Sequence, residues 1–183
     1  MKLYVYQKRW AEAATVGKDL VDSKEYRLLD NFKDNFDSKF DNNAESIFEV
    51  QCKTGANGIG NGHYDLESFE FTPNPRGYTQ PKQEFVRSFG RKADNTVDPR
   101  RDLTAVVNVI SNTFYRSAKY TFPQTPQPSN QYDGELNYKL MRYSDFLLLY
   151  AEALNENSQT ATAVDLVNQV RQRPSVEIPP SVT

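Results

Sequence analysis

Scarcity bounds what this 183-residue chain can do. Its single cysteine, Cys52, excludes an internal disulfide and any multi-cysteine zinc site. Standing at the end of an alternating run, Cys52 reads as a buried thiol. Its single histidine, His63, leaves a histidine-based metal site or catalytic triad to find every other member elsewhere. The motifs GxSxG, HExxH and CxxC are all missing. No stretch approaches the roughly 18 apolar residues of a membrane helix, and Met1 is not followed by the apolar core of a signal peptide. Charge of one sign is lacking too: the net charge is −2, and a nucleic-acid partner, which needs a concentrated basic patch to displace counterions, is not expected.

The remaining chemical motifs thin out on inspection. The basic residues Arg87, Arg91, Lys92, Arg100 and Arg101 are interrupted by Asp94 and Asp98, which reads as a solvated, salt-bridged surface. Asp94, Asn95 and Asp98 have the composition of a calcium loop without the glycine and twelfth-position glutamate of an EF-hand. The glycines of GANGIGNG (residues 55–62) would need a helix directly behind them to hold a pyrophosphate, and a strand- and turn-like segment with two prolines follows instead. Carboxylate pairs such as Asp65 and Glu67 have no surroundings that would raise one pKa over the other, the asymmetry a glycosidase requires. No catalytic residue, metal or cofactor is expected.

What the chain does have is helical periodicity at both ends. In YKLMRYSDFLLLYAEALNE (Tyr138–Glu156), Leu140, Tyr143, Leu147, Tyr150 and Leu154 recur at spacings of three and four, and Met141, Leu148 and Ala151 widen the stripe. After a short polar break, TATAVDLVNQVRQR continues the pattern through Ala163, Val164, Val167 and Val170 until Pro174 stops it. Two helices joined so closely pack antiparallel. Near the N-terminus Trp10, Ala13, Ala14, Val16, Leu20 and Val21 form one face of a second hairpin whose first helix is a stub. Between them, Phe32, Phe36 and Phe40 suggest a short amphipathic turn capped by Asp30 or Asn31. Ile47–Cys52 alternates as a strand, and Pro81 opens a short helix with Phe85, Val86 and Phe89 inside. Thr104–Ile110 reads as a buried strand or turn of helix, and Ser111–Asn137 as a proline-interrupted loop rich in tyrosine.

The segment RYSDFLLLYAEALNE with LVNQVRQR resembles the C-terminal region of SusD/RagB-family proteins, surface nutrient-binding lipoproteins of Bacteroidetes-type bacteria. LYVYQKRWAEAATVGKDLVDSKEY (Leu3–Tyr26) resembles that family's tetratricopeptide-type hairpin, with a tight turn around Lys8–Trp10. NAESIFEVQ, PKQEFVRSF and DPRR match further segments in the expected order. The resemblance implies a mainly α, SusD-like fold of tetratricopeptide-like hairpins around a loop-rich insert with minor β. It implies a single partial domain: a hairpin at 1–28, the insert at 29–137, a hairpin at 138–173 and a tail at 174–183. It also implies non-catalytic capture of oligosaccharide or another nutrient at the bacterial outer membrane, for delivery to a TonB-dependent, SusC-like transporter. Family members carry a signal peptide and a lipid-anchored cysteine, absent from this sequence, and are longer, so a C-terminal-half fragment is expected.

A saccharide presents a C–H face to a flat ring and a rim of hydroxyls to amides and guanidinium groups. His63, Tyr64, Arg76 and Tyr78 form the set in this sequence that best fits such a ligand. The alternative is a helical-repeat module that grips a protein partner in its concave face.

Overall fold

The computed structural model describes residues 1–55, 60, 80–107, 115–117, 119 and 133–180. Helices dominate, as expected. Helices α1 (Lys2–Tyr6) and α2 (Trp10–Ser23) make the first hairpin. Their connection turns through Lys8 at φ 56°, a left-handed residue placed inside the tight turn the sequence suggests. A short helix α3 (Gln83–Arg87) precedes α4 (Arg100–Thr104). Helices α5 (Tyr143–Glu156) and α6 (Thr160–Arg171) form the second hairpin, folding back through Ser158 at φ 61°.

The apolar stripe of α5 is the centre of the core. Leu147 has no exposed surface, and Tyr143, Phe146, Tyr150, Ala151 and Leu154 are buried with it against Ala163, Leu166 and Val170 of α6. From α2, Ala14, Leu20 and Val21 cover the other side of the stripe. That approach is close because Gly17 has no side chain: a Cβ there would lie 2.1 Å from the Tyr150 ring. Ala13 and Ala153 are likewise fully buried, in a smaller cluster with Val5. Each large apolar side chain so buried contributes about 1.5–3 kcal/mol.

Between the hairpins the chain makes two 3-10 turns, Phe32–Phe36 and Ser38–Phe40, the first capped by the Asn31 side chain, which accepts from the Lys33 amide at 3.2 Å. Phe32 and Phe36 pack on Val176 and Ile178 of the C-terminal tail, and the Phe32 amide donates to the Ser175 hydroxyl at 2.8 Å. Strand β1 (Ser46–Val50) pairs antiparallel with β4 (Tyr138–Arg142), with Glu49 opposite Lys139, and β2 (Ala105–Val107) pairs with β3 (Tyr115–Ser117).

Several expectations need correction. Residues 138–142 continue the three-four spacing of α5 yet form a strand, because β1 offers their backbone a ladder and Lys139 an ion pair on the same side of the sheet. Leu140 consequently lies exposed, while Met141 still packs on the core from the strand. Leu148 also faces solvent, and Leu166 rather than Val164 holds the buried face of α6. Phe40 and Phe85 are exposed rather than inside, and Cys52 is half-buried rather than buried. The alternation of β1 is as expected, but its inward side carries Glu49 and its outward side exposes Phe48 and Val50.

Candidate functional site

His63, Tyr64, Arg76 and Tyr78, the residues favoured from the sequence, lie outside the described residues, as does most of the GANGIGNG loop. Among the described residues, two concave surfaces meet at a single buried carboxylate. Glu45 has no exposed surface. It accepts two hydrogen bonds from the Arg173 guanidinium, each 3.1 Å, one from Arg142 at 3.1 Å, one from the Leu29 amide at 3.0 Å and one from the Asn35 side chain at 3.1 Å. Burial alone would raise the Glu45 carboxyl, but the Arg173 and Arg142 guanidiniums and the Leu29 amide outweigh it and hold the group below its ordinary value. Glu45 therefore fixes one arginine in the wall of each cavity.

The first cavity, about 400 Å³, combines rings with cations: Phe32, Phe85 and Phe89 line it together with Arg100, Lys119, Arg142 and Arg171, and Ser88 and Thr104 add hydroxyls. The rings have different roles. Lys119 lies 5.0 Å from the Phe36 ring centre and 5.9 Å from that of Phe32, and Arg142 lies 5.5 and 5.9 Å from the same two rings, so those faces already hold cations. Phe85 packs edge-on against Phe89 with centroids 5.3 Å apart and is half exposed, which leaves it as a platform for a ligand. The carboxylate in this wall, Asp98, is buried and bound by Arg100 through Nε at 3.0 Å and Nη2 at 2.6 Å. This pair accounts for part of the basic cluster read from the sequence as salt-bridged; Lys92 with Glu177 and Arg101 with Asp102 account for more.

The second cavity, about 450 Å³, is lined by Tyr26, Arg27, Asp30, Tyr143, Gln169, Gln172 and Arg173, among others. Tyr26 and Tyr143 stack with centroids 6.3 Å apart, and Gln169 of α6 and Gln172, the residue that follows the helix, add amides to the lining. A saccharide surface calls for rings beside hydrogen-bonding groups; the first cavity sets rings beside guanidiniums and hydroxyls, the second beside amides and guanidiniums.

A second polar cluster is structural. Lys139 bridges Asp41 at 2.6 Å and Glu49 at 3.3 Å, while the Asn137 side chain donates to Glu49 at 2.8 Å and to Gln51 at 3.0 Å. These bonds tie β4 to β1. Burial raises the Asp41 carboxyl above its ordinary value, with Lys139 and the Asn137 amide opposing. Among the described residues no cluster of three His, Cys, Asp or Glu side chains could hold a metal, and no helix is long and apolar enough to cross a membrane. Asp94, a residue of the calcium-like loop, spends its oxygen on the Thr96 amide and hydroxyl at 2.9 and 2.6 Å.

None of the cavity residues reads from the sequence as a ligand contact: Arg100 and Asp98 fall in the basic cluster and the calcium-like loop, and Phe32, Phe85, Phe89 and Tyr143 on apolar faces. Arg142 carries a signal in retrospect, as the last residue of a strand that runs straight into a helix, but Phe85, Lys119 and Arg171 look locally like a helix face and surface cations.

Residues 92–180 match the model of the SusD family. A SusD-like protein of Formosa agariphila is 53% identical over 38 residues, which cover 21% of this chain and 8% of that protein. Among solved structures, a SusD-like carbohydrate-binding protein from Bacteroides fragilis superposes with a TM-score of 0.83 at 21% identity, over 100% of this chain and 44% of its own. Surface glycan-binding protein A from Bacteroides thetaiotaomicron, in complex with laminarihexaose, superposes with a TM-score of 0.74 at 21% identity, over 98% of this chain and 47% of its own. At these identities the likeness is one of fold, and the chain spans less than half the length of either solved relative.

Proposed function

From a chain that carries SusD-family sequence over residues 92–180 inside a SusD-like fold, we propose a protein that binds oligosaccharide without cleaving it. The observation that carries this reading is the shared fold with a surface glycan-binding protein seen holding laminarihexaose. The two cavities, one with rings beside guanidiniums and hydroxyls and the other with rings beside amides and guanidiniums, support it with chemistry suited to a sugar. Among the described residues each cavity is lined by one carboxylate, Asp98 in the first, bound by Arg100, and Asp30 in the second, so neither described wall pairs two of them.

The reading extends to the cell surface, where the whole protein would hold glycan at the outer membrane as a lipoprotein and pass it to a TonB-dependent, SusC-like transporter. The exposed Phe48, Val50 and Leu140 on the outer face of β1 and β4 give such a partner an apolar surface to meet. The same face suits the rival reading, a protein-interaction module. His63, Tyr64, Arg76 and Tyr78 are proposed as further ligand contacts. Affinity electrophoresis in gels containing single polysaccharides tests this: one gel should retard the chain, and Tyr64→Ala and Tyr78→Ala should each weaken retardation. Equal retardation of both variants would remove the tyrosines from the site. No retardation in any gel, with a transporter partner captured instead, would favour the interaction module.

A further inference from the structure

The two cavities differ in what their polar side chains are already doing. In the first, Asp98, Glu45 and the Pro179 carbonyl engage Arg100, Arg142 and Arg171. In the second, Arg27, Asp30, Gln169 and Gln172 are exposed, and among the described residues none of these four side chains has a hydrogen-bond or ion-pair partner. Their backbones are nonetheless fixed. The Arg27 amide donates to the Ala44 carbonyl at 2.9 Å, the Ser175 amide to the Asp30 carbonyl at 3.1 Å and the Gln172 amide to the Asn168 carbonyl at 2.8 Å. Groups presented from a fixed frame lose less freedom on meeting a ligand. Formal charge is balanced as well: Asp30 stands against Arg27, and Glu45 behind the wall takes the Arg173 guanidinium. Tyr26, half-buried and stacked on Tyr143, adds a ring to the same lining.

A guanidinium only donates hydrogen bonds, a carboxylate only accepts them, and an amide does both. A sugar hydroxyl also does both, so one rim of hydroxyls can satisfy all four side chains. A carboxylate or sulfate on the ligand would suit Arg27 but be repelled by Asp30. We infer that the second cavity is a binding site for a neutral saccharide, with a pyranose C–H face on Tyr26 and hydroxyls on Arg27, Asp30, Gln169 and Gln172. The volume of about 450 Å³ falls in the range of small-ligand sites, about 300–1,000 Å³. This inference rests on the glycan-binding reading and adds the place and the charge class of the ligand.

Titration calorimetry on the 183-residue chain tests it, with laminarihexaose, maltohexaose and xylohexaose as neutral ligands and hexagalacturonate as the acidic one. One of the neutral ligands should bind more tightly than the acid. Gln169→Ala and Gln172→Ala should each weaken that neutral ligand about two- to tenfold, the effect of one hydrogen bond, while the exposed change Glu156→Gln leaves it unaltered. Asp30→Asn keeps an acceptor and removes the repulsion, so the acidic-to-neutral affinity ratio should rise; a purely structural role for Asp30 would not move that ratio. Because these side chains have no partner in the fold, each variant should melt with the parent chain. Neutral binding that is unchanged in both glutamine variants would overturn the site and leave the glycan reading standing. Tighter binding of hexagalacturonate by the parent chain would overturn the charge class alone. Binding of none of the four ligands would overturn the inference and the glycan reading together.

Discussion

Glu45 shows how much of this molecule depends on one side chain. It is wholly buried, and its partners Leu29, Asn35, Arg142 and Arg173 come from segments far apart in sequence. Replacing it by glutamine keeps an acceptor but leaves two guanidiniums without their counter-charge. Breaking a buried pair in this way costs about 3–5 kcal/mol. Glu45→Gln should therefore lower the urea midpoint far more than the exposed change Glu156→Gln. The effect has a pH signature. Because the folded-state pKa is depressed, the stability Glu45 contributes is complete above its unfolded value of about 4.3 and is lost as pH falls through the folded value. Asp41 acts in the opposite sense: burial raises its folded pKa, so it takes up a proton earlier in the folded state and part of the acid loss is offset. The gap in stability between the parent chain and Glu45→Gln should thus be widest near neutral pH and narrow below about pH 4. A gap under about 1 kcal/mol at neutral pH, or one that does not change with pH, contradicts the buried pair.

At the scale of elements, the contact of α2 with α5 gives a test in which two effects have opposite sign. Gly17 lies mid-helix, where alanine would favour the helix by about 1 kcal/mol, but its Cβ would meet the Tyr150 ring at 2.1 Å. Overpacking a core costs about 1–3 kcal/mol, so Gly17→Ala should lower the melting temperature. Leu147→Ala, at the buried centre of the α5 stripe, should cost about 2–5 kcal/mol through transfer energy and cavity. A rise in melting temperature for the first variant, or no change for the second, would place the α5 face elsewhere.

These helices were legible in the sequence because three-four spacing is a local property of a chain that buries one side. Tyr138–Arg142 was not, since its spacing also fits a helix and its strand partner, Ser46–Val50, lies about ninety residues away, where no local pattern can register it. The cavity was illegible for the same reason. Phe85, Arg100, Arg142 and Arg171 each have an ordinary local reading, and only the fold brings them to one wall. The outward Phe48 and Val50 of β1 show the limit of polarity as a guide to burial: alternation gave the two faces, but the inward one holds Glu49, paired with Lys139.

At the scale of the whole molecule, the described parts form a helical frame with two cavities tied together through Glu45, on a fold shared over nearly the full chain with surface glycan-binding proteins. The chain spans under half the length of those relatives, so the residues in hand must themselves hold sugar for the account to stand. The direct test is calorimetric titration of the purified 183-residue chain with a panel of oligosaccharides, followed by chromatography of the recovered ligand. The account predicts saturable binding of at least one saccharide, returned at its original length. A panel with no binding, or a ligand recovered in shorter pieces, would contradict it.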